Sequence, residues 1–154
     1  MLIRRANLND IQAISKLGDI LLKYDHDFDP TINLNWLEEP DGLDFIKKRI
    51  TNTDGIVLLA LVDDIIVGYL MGGLIDPEPY RIPQRLAELE EVIVHNDYRG
   101  QDIGSELINH FFTWCNEHQA SRARVVVSAD NARAISLYRH FAFQDYDLIL
   151  EKKL

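Results

Sequence analysis

Two hydrophobic periods alternate along the chain. Ile11, Ile14, Leu17 and Leu21 recur at the spacing of one helix face and predict a first helix running through Tyr24. Asn7 stands where it can cap that helix, with Asp10 favouring its positive end. "LIRRA" (2–6), ahead of it, reads as a short strand. "DHDFDPTINLNWLEEPD" (25–41), with two prolines, predicts a loop or broken helix, and "GLDFIKKRITN" (42–52) a second helix. The pattern then shortens. "IVLLALV" (56–62), an Asp63-Asp64 turn and "IIVGYLMGGLI" (65–75) predict an antiparallel hairpin. After a proline-bearing loop (76–85), "LAELEEVIV" (86–94) predicts a strand in which Glu88 and Glu90 keep step with Val92 and Val94, while Glu91 faces the other way. Ile103, Leu107, Ile108, Phe111 and Cys115 mark an amphipathic helix over 103–118. "RARVVVS" (122–128) reads as a buried strand, "NARAISLYRHF" (131–141) as a helix, and "FQDYDLILEKKL" (143–154) as one or two final strands.

This order is mixed α/β in a single domain over 1–154, with no linker. Strands 86–94 and 122–128, joined through a helix, should be parallel. Hydrophobic residues at 47% and charged residues at 27% suit an ordinary globular domain. The net charge of −9 argues against nucleic acid or an anionic membrane as main partner. One cysteine, Cys115, excludes an intrachain disulfide, and no apolar run approaches the length of a membrane span, so the expected location is cytoplasmic. No metal is expected. His95, His110, His118 and His140 lack ligand spacing, and "DHDFDP" lacks the glycine turn and final Glu of an EF-hand.

The chemistry concentrates in "YRGQDIGSEL" (98–107), where Arg99, Gly100 and Gly104 surround a helix start. A helix N-terminus offers free N–H groups and a partial positive charge, and small residues let a phosphate approach them. The Walker A pattern and the dinucleotide-binding glycine fingerprint are both absent. Downstream, Asn131 and Tyr138 are two helical turns apart and share a face about 10 Å long. Asn131 stands where its amide can cap the helix or bind a ligand. Both motifs fall at the C-terminal ends of adjacent parallel strands, where open α/β sheets place ligands.

"VIVHNDYRGQDIGSELI" followed by "NARAISLYRHFAF" resembles the GNAT superfamily of acetyl-CoA-dependent N-acetyltransferases, over nearly the whole chain and most strongly from about 86 to 143. Arg99 and Gly104 match the Arg/Gln-x-x-Gly-x-Gly/Ala cofactor loop, with Asp102 where its first glycine is usual. Asn131, Ala134 and Tyr138 match the later Asn-x-x-Ala-x-x-x-Tyr pattern in full, and Ala142 replaces a usual Gly. The resemblance implies a mixed sheet of about six or seven strands with about four helices, acetyl-CoA as cofactor, and a strand at 92–94 that bulges and splays from its neighbour.

It also implies roles. The backbone of Gly100, Gln101, Asp102, Ile103, Gly104 and Ser105 would cradle the pyrophosphate beside Arg99. Val92, Ile93 and Val94 would pair with the pantetheine arm, and an N–H near Ile93 would polarise the thioester carbonyl. Asn131 would bind the pantetheine region, and Tyr138 would protonate the leaving thiolate, since a phenol of pKa about 10 can donate to a thiolate whose acid has pKa about 8.5. An alkyl amine acceptor is protonated at neutral pH and needs a base, for which Glu90 is the candidate. Val126 stands where a branch that acetylates ribosomal-protein N-termini carries a Glu. Asp102 either caps helix 103–118 with its carboxylate while its backbone serves the phosphate, or weakens coenzyme binding by like charge.

Residues 24–44 carry Asp25, Asp27, Asp29, Glu38, Glu39, Asp41 and Asp44 with Tyr24, Phe28 and Trp36 but no Lys or Arg. They read as an acidic, aromatic mouth for a cationic amine, or as a solvated acidic loop. The reading is therefore N-acetyl transfer to a primary amine of a cationic small molecule by direct attack. The alternatives are a protein or peptide acetyltransferase acting on N-termini or lysines, and a non-catalytic acyl-CoA sensor. A homodimer is left open.

Overall fold

The computed structural model describes residues 1–154. Five strands form one sheet in the order β1 (Leu2–Arg5), β2 (Gly55–Val62), β3 (Ile65–Ile75), β4 (Leu86–Val94) and β5 (Arg122–Val125). Neighbours are antiparallel except β4 and β5, which run parallel with helix α3 (Ile103–Glu117) as their crossover. Helices α1 (Ile11–His26) and α2 (Pro40–Thr51) cover one face, and α3 with α4 (Ala132–His140) the other.

The uninterrupted apolar run of β2 follows from this double cover. Ile56, Leu58 and Ala60 pack on the α3 side, while Val57, Leu59 and Leu61 pack on the α1–α2 side. The hairpin turns through Asp63 and Asp64, both with positive φ (49° and 64°), the left-handed pair that matches strand twist. Asn7 accepts from Asn9 N–H at 2.9 Å, and Asp10 closes the capping box while pairing with Arg4 at 2.8 Å. Helix α2 starts at Pro40, its missing N–H falling where a helix has no use for one.

Two expectations are corrected. The sheet has five strands rather than six or seven, because residues 143–154 form no strand. Strand β5 ends at Val125 rather than 128, because its pairing with β4 stops at Leu89↔Val125.

Candidate active site

That early stop makes the cleft. Beyond Leu89, β4 continues beside β3 as far as Gly68↔Val94, but nothing pairs with it on the β5 side. The two parallel strands part, and Val126, Val127 and Ser128 form the far wall of a cavity of about 470 Å³. A bulge sits at the parting point. Met71 pairs with Glu91 and Gly72 with Leu89, so Glu90 is the extra residue.

The bulge re-phases β4. Ala87 and Leu89 pack on the α3 side before it, and Val92 and Val94 do so after it. Glu90 and Glu91 both reach partners on the other face: Arg49 of α2 and Tyr69 of β3. The expected alternation, with Glu90 in step with Val92 and Val94 and Glu91 opposed to it, is thus overturned by one inserted residue. Both carboxylates line the cleft.

At the C-terminal end of β4 the chain makes a short turn and enters α3. None of the backbone N–H groups from Gly100 to Ser105 donates to an acceptor within the chain. Gly100 has φ 76°, and a side chain there would meet nothing within 4 Å, so its backbone faces open space. Asp102 is the N-cap with φ 58°, and its C=O accepts from Glu106 N–H at 3.0 Å. Its carboxylate makes no capping hydrogen bond, so the side-chain cap is corrected: Asp102 supplies the left-handed turn and leaves the helix N–H groups free. Arg99 donates through Nε to Val94 C=O at 3.0 Å and lies 5.9 Å from the Tyr24 ring centroid. Burial, then the nearby Arg133 cation, lower its pKa. Two cations beside unsatisfied N–H groups fit an anion such as a pyrophosphate. Of the expected loop residues, only Gln101 does not line the cleft.

Asn131 is the buried N-cap of α4, its Oδ1 accepting from Ala134 N–H at 3.1 Å. Its Nδ2 has no partner in the chain and remains a donor at the cleft wall. Two turns on, Tyr138 is buried against Phe143 (ring centroids 5.8 Å) and lines the same cleft. Burial, helped by the Asp25 charge, pushes its hydroxyl up to about 12, so it keeps its proton throughout the neutral range.

The remaining wall is acidic. Glu90 is held by Arg49 through Nε at 2.9 Å and through a second guanidinium N–H, with both side chains largely buried. Burial outweighs the arginine and raises its pKa. Glu91 accepts from Tyr69 Oη at 2.5 Å, and burial pushes its carboxyl up to about 7. Asp25 is raised by burial. Of the acidic run 24–44, only Tyr24, Asp25 and Ile32 reach the cleft. Elsewhere in the run, Asp29 binds Thr31, Glu39 accepts from Asn33 and Asp44 pairs with Lys48, as in a solvated loop.

Comparison with known proteins decides the family. The profile of the acetyltransferase (GNAT) family matches residues 21–143. The chain belongs to the GNAT family. L-amino acid N-acetyltransferase AaaT of Escherichia coli (strain K12) is 25% identical over 147 residues, covering 94% of this chain and 83% of that protein. Among solved structures, a mutant of the BH1408 protein from Bacillus halodurans superposes with TM-score 0.89 at 18% identity, covering 100% of this chain and 99% of that one. Aminoglycoside N-acetyltransferase AAC(6')-Iy, solved with CoA, gives TM-score 0.74 at 15% identity, covering 99% of each chain. This GNAT is an acyltransferase, an N-acetyltransferase enzyme rather than a silent acyl-CoA sensor. No helix in it is long and apolar enough to cross a membrane.

Its family-specific details are set by local geometry. His95 N–H donates to Val67 C=O, so alternation turns the Ile93 N–H toward β3 as well and leaves those of Val92 and Val94 facing the cleft. The Ile93 N–H itself therefore does not face the cleft. Ala142, where GNAT sequences usually have Gly, holds φ 62° at the end of α4, its N–H bonded to Arg139 C=O and that of Phe143 to Tyr138 C=O. Glu91 and Arg133 were missed as site residues. Arg133 had a signal, lying in the first turn of a helix whose N-cap was already singled out. Glu91 had none, because alternation gives its face but not that the cleft opens there.

Proposed function

We propose that the cleft transfers an acetyl group from acetyl-CoA to a primary amine of a cationic small molecule by direct attack. The observation that carries this reading is one cavity combining five residues with free backbone N–H groups, beside Arg99 and Arg133, with a wall of three carboxylates, Asp25, Glu90 and Glu91. Acetyl-CoA, when bound, supplies an activated acetyl thioester and departs as the thiol. The backbone from Gly100 to Ser105 and the two arginines hold its phosphates. The outward N–H groups of Val92 and Val94 and the amide of Asn131 align the pantetheine arm and stabilise charge developing on the carbonyl oxygen. Tyr138 donates its proton to the departing sulfur.

Glu91 replaces Glu90 as the base. A carboxyl near 7 is half-ionised at neutral pH and can take a proton from an ammonium, directly or through water. Tyr69, whose own pKa is raised well above the usual value by burial, stays protonated and fixes the Glu91 rotamer. Glu90, tied to Arg49 through both oxygens, supplies a standing negative charge.

The names of the relatives specify L-amino acids in one case and aminoglycosides in the other. The carboxylate wall favours acceptors without a carboxylate of their own, since like charge at close range costs about 1 kcal/mol or more. The test is thiol release from acetyl-CoA with a panel of aminoglycosides, alkyl diamines, free amino acids and lysine peptides. A diamine or aminoglycoside should give the highest kcat/KM. Preference for free amino acids would overturn the acceptor assignment, and release with no acceptor in the panel would overturn the reading as a small-amine enzyme.

A further inference from the structure

Arg49 reaches the acid end of the cleft from behind it. It stands in the last turn of α2, and its side chain lies over β2 and β3 before it meets Glu90 of β4. Two glycines keep that path open. Gly55 and Gly73 are direct partners in the β2–β3 register, so both turn the same face toward α2. A Cβ on Gly55 would stand 2.5 Å from the Arg49 carbonyl oxygen, and one on Gly73 would stand 2.6 Å from Arg49 Nη1. A side chain at either position would collide with the arginine. The Phe45 ring, one turn back on α2, lies 5.4 Å from the guanidinium. The Arg49 and Glu90 side chains are only 17% and 14% exposed, so the pair meets in a largely dry slot.

The two carboxylates at the bulge are held by unlike partners. Glu90 receives two N–H groups from a permanent cation, whereas Glu91 receives one O–H from Tyr69. A carboxylate gripped by an arginine fork keeps its charge, while one held by a hydroxyl can exchange a proton. Arg49 itself is not part of the cleft wall and stands behind Glu90. We propose, resting on Glu91 as the base, that Arg49 is a positioning residue for the reaction: by gripping Glu90 it fixes the bulge, keeps that neighbour ionised and balances its charge, leaving Glu91 as the carboxylate that takes the proton.

The groups around the pair leave this role to Arg49. Asp25 of α1 and Tyr69 of β3 face Glu91, and Asp19 of α1 faces Tyr69. Glu88, two residues back on β4, faces Glu90. Arg124 of β5 is already bound to Glu88 at 2.6 Å and to Glu78 at 3.1 Å. Burial raises the pKa of Glu90 and of Glu91. The Arg49 hydrogen bond and charge pull Glu90 back down, while the Glu90 charge adds to what raises Glu91. Without the arginine, two adjacent carboxylates would compete for one ionisation, and the second would move to higher pH.

The test is a cycle of Arg49→Gln, Glu90→Gln and the double substitution. Two readouts are followed: the pH profile of kcat/KM, and an NMR titration of the Glu91 carboxyl in protein carrying isotope-labelled glutamate. Arg49→Gln should move the Glu91 titration, and the acid limb with it, up by about half a pH unit or more. Glu90→Gln, which leaves the cation unpaired beside Glu91, should move both down by a similar amount. The double substitution removes both charges and should return both readings to within about 0.2 pH units of the unmodified protein. A Glu91 titration that stays in place in Arg49→Gln, with turnover falling only as folded protein is lost, would overturn the proposal and leave Glu91 as the base. Equal titrations in Glu90→Gln and the double substitution would overturn it even if Arg49→Gln does not fold. A titration that moves while the kinetic limb stays would instead overturn Glu91 as the base, and the role of Arg49 in the reaction with it.

Discussion

The two halves of the cleft are made of different material. One end is built from main chain: consecutive free N–H groups at a helix start, reached through a glycine and a left-handed aspartate. The acid end is built from side chains, with Glu90 and Glu91 brought to one face by a single inserted residue. A main-chain site depends on the path of the backbone and tolerates many side chains, which is why Asp102 can stand where glycine is usual. A side-chain site depends on register, and one residue decides which carboxylate is free and which is tied to Arg49.

The sharpest test of that division is Glu91→Gln against Glu90→Gln. Loss of the base should lower kcat about 10³-fold, within the usual range for acid–base catalysis. Glu90→Gln should cost stability instead, about 1–3 kcal/mol, because it leaves Arg49 charged and poorly exposed. The reverse pattern would return the base to Glu90. The pH dependence should follow: kcat/KM of the unmodified enzyme falls as pH drops below about 7, and Glu91→Gln abolishes that limb. The same group predicts a stability effect of opposite sense. An unfolded Glu loses its proton near 4.3 and the folded one near 7, so stability contributed by the neutral carboxyl is full below about pH 4.3 and lost as pH rises to 7. Glu91→Gln should therefore raise Tm at pH 8 and leave it nearly unchanged at pH 4.

Next in size is Tyr138→Phe, expected to reduce kcat about 10²-fold with coenzyme affinity kept within a few-fold, as measured by calorimetry. With its hydroxyl near 12, Tyr138 should produce no alkaline limb below about pH 10 in the unmodified enzyme. Unchanged turnover would remove it from the mechanism.

The main-chain end should respond more gently. Asp102→Gly removes a left-handed non-glycine residue and forfeits no capping bond, so stability should hold or rise by up to about 1 kcal/mol. Asp102→Asn should tighten coenzyme A slightly through loss of a charge. A tenfold loss of binding in Asp102→Asn would mean that the carboxylate makes a needed contact. Smallest of all, Ala142→Gly should raise stability by about 1 kcal/mol through its φ of 62°, with no change in activity.

What could be read from the chain divides along the same line. Helix faces, the Asp-Asp hairpin and the parallel β4–β5 unit are written in periodicity, and the motifs fell where those elements end. The bulge left no mark on the alternation of "LAELEEVIV", so Glu90 was put on the wrong face. Val126 and Val127 looked like strand because they are apolar and β-branched, yet with Ser128 they lie where the strands must part to make room. The tail has strand composition, but composition alone does not make a strand where no neighbour bonds it.

Cys115 bears on how all of this can be measured. It is 6% exposed, and burial pushes its thiol up to about 11. Disulfide reagents react with thiolate, so at pH 7.5 this sulfur is almost silent while a free small-molecule thiol of pKa about 8.5 reacts readily. A colorimetric readout of enzyme turnover should then carry almost no background from the protein itself. The sulfur becomes reactive when α3 leaves the sheet, so the same reagent, added without substrate, turns the lone cysteine into a clock for unfolding.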